Sequence, residues 1–150
     1  MKIKRRKWDI FALEISKKAI ELAKRNSSRH SVNINYINAD IFSWKKYNEI
    51  DIIISNPPYV LKSQKKFMKA NVLKFEPKKS IFVSDENPLT FYKRIFDISK
   101  LKLKDGGLIY FEINPKFKSE LISLSKKYEF SKYEIKKDIF RRNRYIKFQK

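Results

Sequence analysis

The residues best suited to chemistry in this 150-residue chain lie in one tetrapeptide, Asn56-Pro57-Pro58-Tyr59. Two consecutive prolines remove two backbone donors and fix φ, so the turn is rigid and its carbonyls face outward without an intrachain partner. That makes a preorganised acceptor site. A planar amide or amino group has two N–H bonds; the Asn56 side-chain oxygen and the Pro57 carbonyl can take both, leaving the nitrogen lone pair aimed at an electrophile. Tyr59 can pack over the substrate plane or beside a developing positive charge. The plainer reading is a Pro-Pro turn after a strand. Two carboxylates carry weaker signals. Glu14 follows an apolar segment and could accept from the two hydroxyls of a ribose, or be an exposed acid near a helix start. Asp40, in Ala39-Asp40-Ile41-Phe42, could accept from an exocyclic adenine amine while Ile41 or Phe42 packs on the ring, or could be a turn aspartate before core residues.

The elements that must position these groups alternate. Trp8 to Leu13 reads as a strand, and Ser16 caps a helix whose Ala19, Ile20, Leu22 and Ala23 recur at helical spacing as far as Asn26. Strands follow at Ile34 to Asn38 and at Ile50 to Ser55; the second is an apolar run of the kind buried on both faces of a parallel sheet. Asn87 predicts a helix cap with Pro88 in the first position, ahead of Phe91, Ile95, Phe96, Ile98 and Leu101. Asp105-Gly106-Gly107 reads as a turn, Leu108 to Ile113 as a strand and Phe117 to Lys127 as a helix. Tyr133 to Lys137 and Tyr145 to Phe148 alternate like an antiparallel hairpin joined at Asp138 to Asn143. The pattern predicts an α/β fold in a single domain, and in such sheets ligands bind beyond the carboxyl ends of the strands, where Glu14, Asp40 and Asn56 stand.

Composition narrows the chemistry. Hydrophobic residues make up 42% and aromatics 15%, too apolar for a disordered chain. Cysteine is absent and His30 is the one histidine, which excludes disulfides, thiolate metal sites and a histidine triad; no metal site is expected. No apolar run is long enough for a membrane span, and the expected location is the cytoplasm. The formal charge of +20 would suit a nucleic-acid surface, but the lysines are spread through every segment, as in a general compositional bias.

Taken together, Leu13-Glu14-Ile15-Ser16, Ala39-Asp40-Ile41-Phe42, Ile54-Ser55-Asn56-Pro57-Pro58-Tyr59-Val60, Phe75-Glu76-Pro77, Gly106-Gly107 and Phe111-Glu112-Ile113 resemble, in order and spacing, the release-factor glutamine N5-methyltransferases. The resemblance covers nearly the whole chain, and Phe75-Glu76-Pro77 points to the glutamine enzymes among the amino methyltransferases. It implies a Rossmann-like class I S-adenosylmethionine-dependent methyltransferase fold with an antiparallel hairpin at the carboxyl end. It further implies that Glu14 holds the cofactor ribose, that Asp40 and Ile41 border the adenine, and that Asn56 touches both cofactor and substrate. The implied substrate is the glutamine of a Gly-Gly-Gln tripeptide in a peptide chain release factor, with nucleic acid not required.

Family members bind the methionine part of the cofactor on a glycine-rich loop after the first strand, whereas this chain has two glycines, Gly106 and Gly107. By the resemblance, the first strand, that loop and an amino-terminal helical substrate domain are missing. Residues 1–150 are then a partial catalytic domain, expected to bind cofactor weakly or not at all unless a separate amino-terminal fragment supplies the rest. Asn114 and Arg141 also stand where the family often has glycine; Arg141 puts the tight hairpin in question. The rival readings are a nucleic-acid amino methyltransferase acting on a flipped adenine or guanine, and a non-enzymatic remnant of a broken gene.

Overall fold

The computed structural model describes residues 4, 7–45, 49–68, 71, 74 and 80–150. Phe75-Glu76-Pro77 lies outside the described residues, as does most of the basic start. The chain divides into two compact units, residues 1–46 and 47–150.

The first unit is a strand, a helix and a strand. β1 (Phe11–Glu14) and β2 (Asn35–Asn38) pair in parallel with Phe11 opposite Asn35 and Glu14 opposite Asn38. Parallel neighbours need a crossover, and α1 (Lys17–Arg29) supplies it. The Ser16 hydroxyl accepts from Ala19 N at 3.3 Å, satisfying one of the donors a helix start leaves free. Ile20 is the buried residue of α1, and the Tyr36 hydroxyl donates to Ala23 O at 2.9 Å, tying β2 to the helix.

The second unit carries the main core. Its four-stranded sheet has the order β3 (Ile50–Ser55), β6 (Leu103–Glu112), β8 (Asn143–Gln149), β7 (Lys132–Lys137), parallel between β3 and β6 and antiparallel for the rest. Two short strands, β4 (Val60–Leu61) and β5 (Phe82–Val83), pair in parallel beside it. In α2 (Thr90–Lys102), Tyr92, Ile95, Phe96 and Ser99 recur at helical spacing and are buried. Phe96, with no exposed surface, sits among Phe111, Tyr128, Phe130 and Phe148 at centroid distances of 5.3 to 5.6 Å. α3 (Lys118–Lys127) follows a short 3-10 turn at Pro115–Phe117 and buries Leu121 and Ser125.

Four expectations need correction. α2 begins at Thr90 rather than at Pro88, because the Asn87 carbonyl, not its side chain, takes the Thr90 amide and hydroxyl. Asp105-Gly106-Gly107 is not a turn before a strand but an irregularity within β6: Ile50 pairs with Leu103 and Ile52 with Leu108, and the residues between loop out. Gly106 at φ +74° permits this, and a Cβ on Gly107 would come within 2.7 Å of Leu103 Cγ. β3 is not covered on both faces, since Ile54, opposite Tyr110, is 55% exposed and no residue of the strand is fully buried. The hairpin forms despite Arg141, which adopts φ +61° while Asp138 binds the turn around it.

Candidate active site

The Asn56-Pro57-Pro58-Tyr59 corner is anchored on both sides. β3 leads into it along its ladder with β6, and Val60 N beyond it donates to Ile81 O at 3.1 Å as β4 begins. Pro57 is buried, Pro58 and Tyr59 are half-buried, and Asn56 is exposed at the carboxyl end of β3. Among the described residues, neither the Asn56 side chain nor the Pro57 carbonyl has a hydrogen-bond partner. The corner therefore offers two carbonyl-type acceptors on a backbone that the prolines keep from rearranging.

Tyr59 is fixed from the neighbouring strands. Its hydroxyl donates to Glu112 Oε1 at 2.7 Å, and its carbonyl accepts from Asn114 Nδ2 at 3.2 Å. Arg144 Nη2 meets the same Glu112 oxygen at 2.9 Å, while the Arg144 guanidinium lies 5.3 Å from the Tyr59 ring centre. The Glu112 carbonyl accepts from the Tyr92 hydroxyl at 2.8 Å, joining this network to α2. Burial first, then the hydrogen bond and charge of Glu112, push the Tyr59 phenol up to about 12, with Arg144 opposing. At neutral pH Tyr59 is thus a protonated donor already committed to Glu112, unsuited to act as a base. Sequence reasoning singled out Tyr59 but gave no role to Glu112, Asn114 or Arg144. Reading the end of β6, the strand beside β3, with the strand-end rule would have found Glu112 and Asn114.

In the first unit Glu14 ends β1 opposite Asn38, the last residue of β2, and Asp40 follows two residues later. Both also hold turns. Glu14 Oε1 accepts from Ser16 N at 2.8 Å, and Asp40 Oδ1 from Phe42 N at 2.9 Å. The Glu14 carbonyl takes Asn38 Nδ2 at 3.0 Å and Ala39 N at 3.2 Å, which fixes the start of the Asp40-Ile41 turn. With Glu14 Oε1 and Asp40 Oδ1 taken by these amides, the second oxygen of each carboxylate is the one left to accept from a ligand. This unit has no glycine to let backbone approach a ligand closely. Among the described residues no three His, Cys, Asp or Glu side chains gather as a metal site. No helix among them is long and apolar enough to cross a membrane.

This α/β architecture recurs in solved methyltransferases. A methyltransferase from Pyrococcus furiosus superimposes over 94% of this chain and 62% of its own, at TM-score 0.65 and 18% identity. The Thermus thermophilus 16S rRNA N2 G1207 methyltransferase, solved with S-adenosylmethionine and guanosine, matches 95% of this chain and 31% of its own at TM-score 0.61 and 13% identity. These likenesses establish a class I S-adenosylmethionine-dependent methyltransferase fold. The methyltransferase small domain model matches residues 1–76, and the chain belongs to that family. Its sequence relatives are more particular. The release factor glutamine methyltransferase of Flavobacterium psychrophilum is 40% identical over 92% of this chain and 49% of its own length, and that of Bacteroides thetaiotaomicron 36% over 90% and 49%. The chain thus spans about half the length of the curated relatives it matches. The resemblance carried by the motifs is shown by these relatives.

Proposed function

We propose that the chain forms the acceptor side of a release-factor glutamine methyltransferase that modifies the side-chain amide nitrogen in a Gly-Gly-Gln tripeptide. The observation that carries this is exposed Asn56 beside a Pro57 carbonyl that has no hydrogen-bond partner among the described residues, at the end of β3. The Asn56 oxygen and the Pro57 carbonyl accept the two N–H bonds of the glutamine amide and hold its plane, so the nitrogen meets the electrophile in one orientation. Pro58 keeps the acceptors still, and Tyr59 closes the corner through Glu112. S-adenosylmethionine, when bound, supplies an electrophilic methyl group on a sulfonium. Glu14 would hold its ribose, Asp40 and Ile41 would border its adenine, and Asn56 would lie beside its reacting end. The substituted nitrogen sheds its surplus proton to water, so no residue of the corner need act as a base. The methionine end calls for a glycine-rich segment that residues 1–105 do not contain, and a segment outside these residues bearing one belongs to this proposal.

The test is transfer of labelled methyl from S-adenosylmethionine to a bacterial class I release factor. It is run with the chain alone and with the glycine-loop half of a relative added. Label should enter the Gly-Gly-Gln glutamine and fall by about 100-fold with Asn56→Ala, the scale for losing one aligned polar group at a reacting centre. Undiminished transfer by Asn56→Ala, or label entering added RNA instead, contradicts the reading.

A further inference from the structure

The turn between β7 and β8 overhangs the end of the sheet at which the Asn56 corner stands. β6 makes its last pair with β8 at Glu112 and Tyr145, and Ile113 N donates to Arg144 O, whereas β7 and β8 stay paired out to Lys137 and Asn143. Arg144, which braces Tyr59 and Glu112, is the second residue of β8. The apex therefore rises from the same strand that holds the corner.

At this apex Ile139 is 91% and Phe140 69% exposed. Water contact of two large adjacent apolar side chains is unfavourable, and a turn without a further role would carry polar residues there. The turn is nevertheless built with care. The Asp138 carboxylate accepts from Phe140 N and Arg142 N, each at 2.9 Å, and from Arg142 Nε at 3.1 Å. Asp138 N donates to Arg142 O, and Arg141 N donates to Asp138 O. Arg141 is kept at φ +61°, a conformation that costs a non-glycine residue free energy. The backbone holds Ile139 and Phe140 out in a fixed geometry, and such preorganisation reduces the ordering cost of docking.

Charge and shape indicate what docks. Among the described residues Lys137 and Arg141, on either side of the apex, have no ion pair, whereas Arg142 is neutralised by Asp138. A partner therefore gains from carboxylates around its binding hollow. Ile139 has no π-face, and the Arg142 guanidinium already lies 5.0 Å from the Phe140 ring centre. Both features suit an apolar protein pocket better than a stack of nucleobases.

We infer that Ile139 and Phe140 form a docking knob for the folded protein that carries the acceptor glutamine, entering an acid-rimmed apolar hollow outside the tripeptide. This rests on the proposed reaction, whose failure is seen separately. Binding of the intact chain to an immobilised bacterial class I release factor is measured for wild type, Ile139→Ser/Phe140→Ser and Lys137→Ala/Arg141→Ala. A single-stranded RNA oligonucleotide serves as a second probe. The apolar pair should weaken binding at least about tenfold with unchanged thermal midpoint, since both side chains are exposed. The basic pair should have a smaller effect that salt abolishes. Transfer to a short Gly-Gly-Gln peptide, which cannot reach the knob, should not change. Loss of release-factor binding in the apolar variant supports docking even if no transfer to either substrate is seen, and that second result counts against the proposed reaction alone. Equal release-factor affinity for all three proteins, no release-factor binding by wild type, or loss of RNA binding alone in the apolar variant overturns the inference.

Discussion

Residues 47–150 close around interlocking rings centred on Phe96, while among the described residues of 1–46 only Ile20 is buried. The two regions also hold their polar groups differently. In the second, Tyr59, Glu112, Asn114 and Arg144 converge from separate strands and loops on one corner. In the first, Glu14 and Asp40 bind amides two residues along the same chain. An aromatic core lets distant residues act together, because packed strands and helices fix their separations. A two-stranded sheet has little such rigidity, and its polar groups make turns of their own. Acceptor geometry is therefore built into the larger unit, and the candidate nucleoside contacts rest on the less buried one.

Removing the centre of each unit gives the largest effect and could break this contrast. Phe96→Ala should lower stability by about 3–5 kcal/mol, the range for deleting a fully buried ring. Ile20→Ala should cost at most about 2 kcal/mol, since the side chain has few buried neighbours to leave a cavity among. Urea unfolding followed by amide exchange checks both; the contrast breaks if Ile20→Ala lowers the midpoint of β8 as far as Phe96→Ala does.

A smaller effect sharpens it at high pH. The Tyr59 phenol is raised to about 12 from its ordinary 10.0. An unfolded tyrosine ionises near pH 10 while folded Tyr59 stays neutral, so its contribution is intact below that pH and is lost as pH rises through about 12. Tyr59→Phe should lose stability less steeply with pH over this window than wild type, as read from thermal midpoints. Equal slopes would mean that Tyr59 is as solvated as a free tyrosine.

Much of this was legible in local pattern. The β3 bounds follow from the apolar run ending at Asn56, the Ser16 cap from the residue type before α1, and the hairpin from its alternation. Where a local signal served two structures, the reading failed. Asp105-Gly106-Gly107 has the composition of a turn, yet the same freedom of φ let it bulge within β6. Pro88 suits a helix start, but the chain made another turn before α2. The bracing of the corner was hidden because Tyr59 and Glu112 lie 53 residues apart and meet only through the β3–β6 register. An apolar run such as that of β3 does not tell how far each face is covered, and Ile54 is exposed.

The central claim is that the acceptor corner is rigid before any ligand arrives. Nitrogen-15 relaxation of the ligand-free chain measures this at the Asn56 and Tyr59 amides, the two prolines between them having none. Order parameters of about 0.85, matching those along β3, are predicted, and values below about 0.6 would show a corner that moves freely and contradict the account.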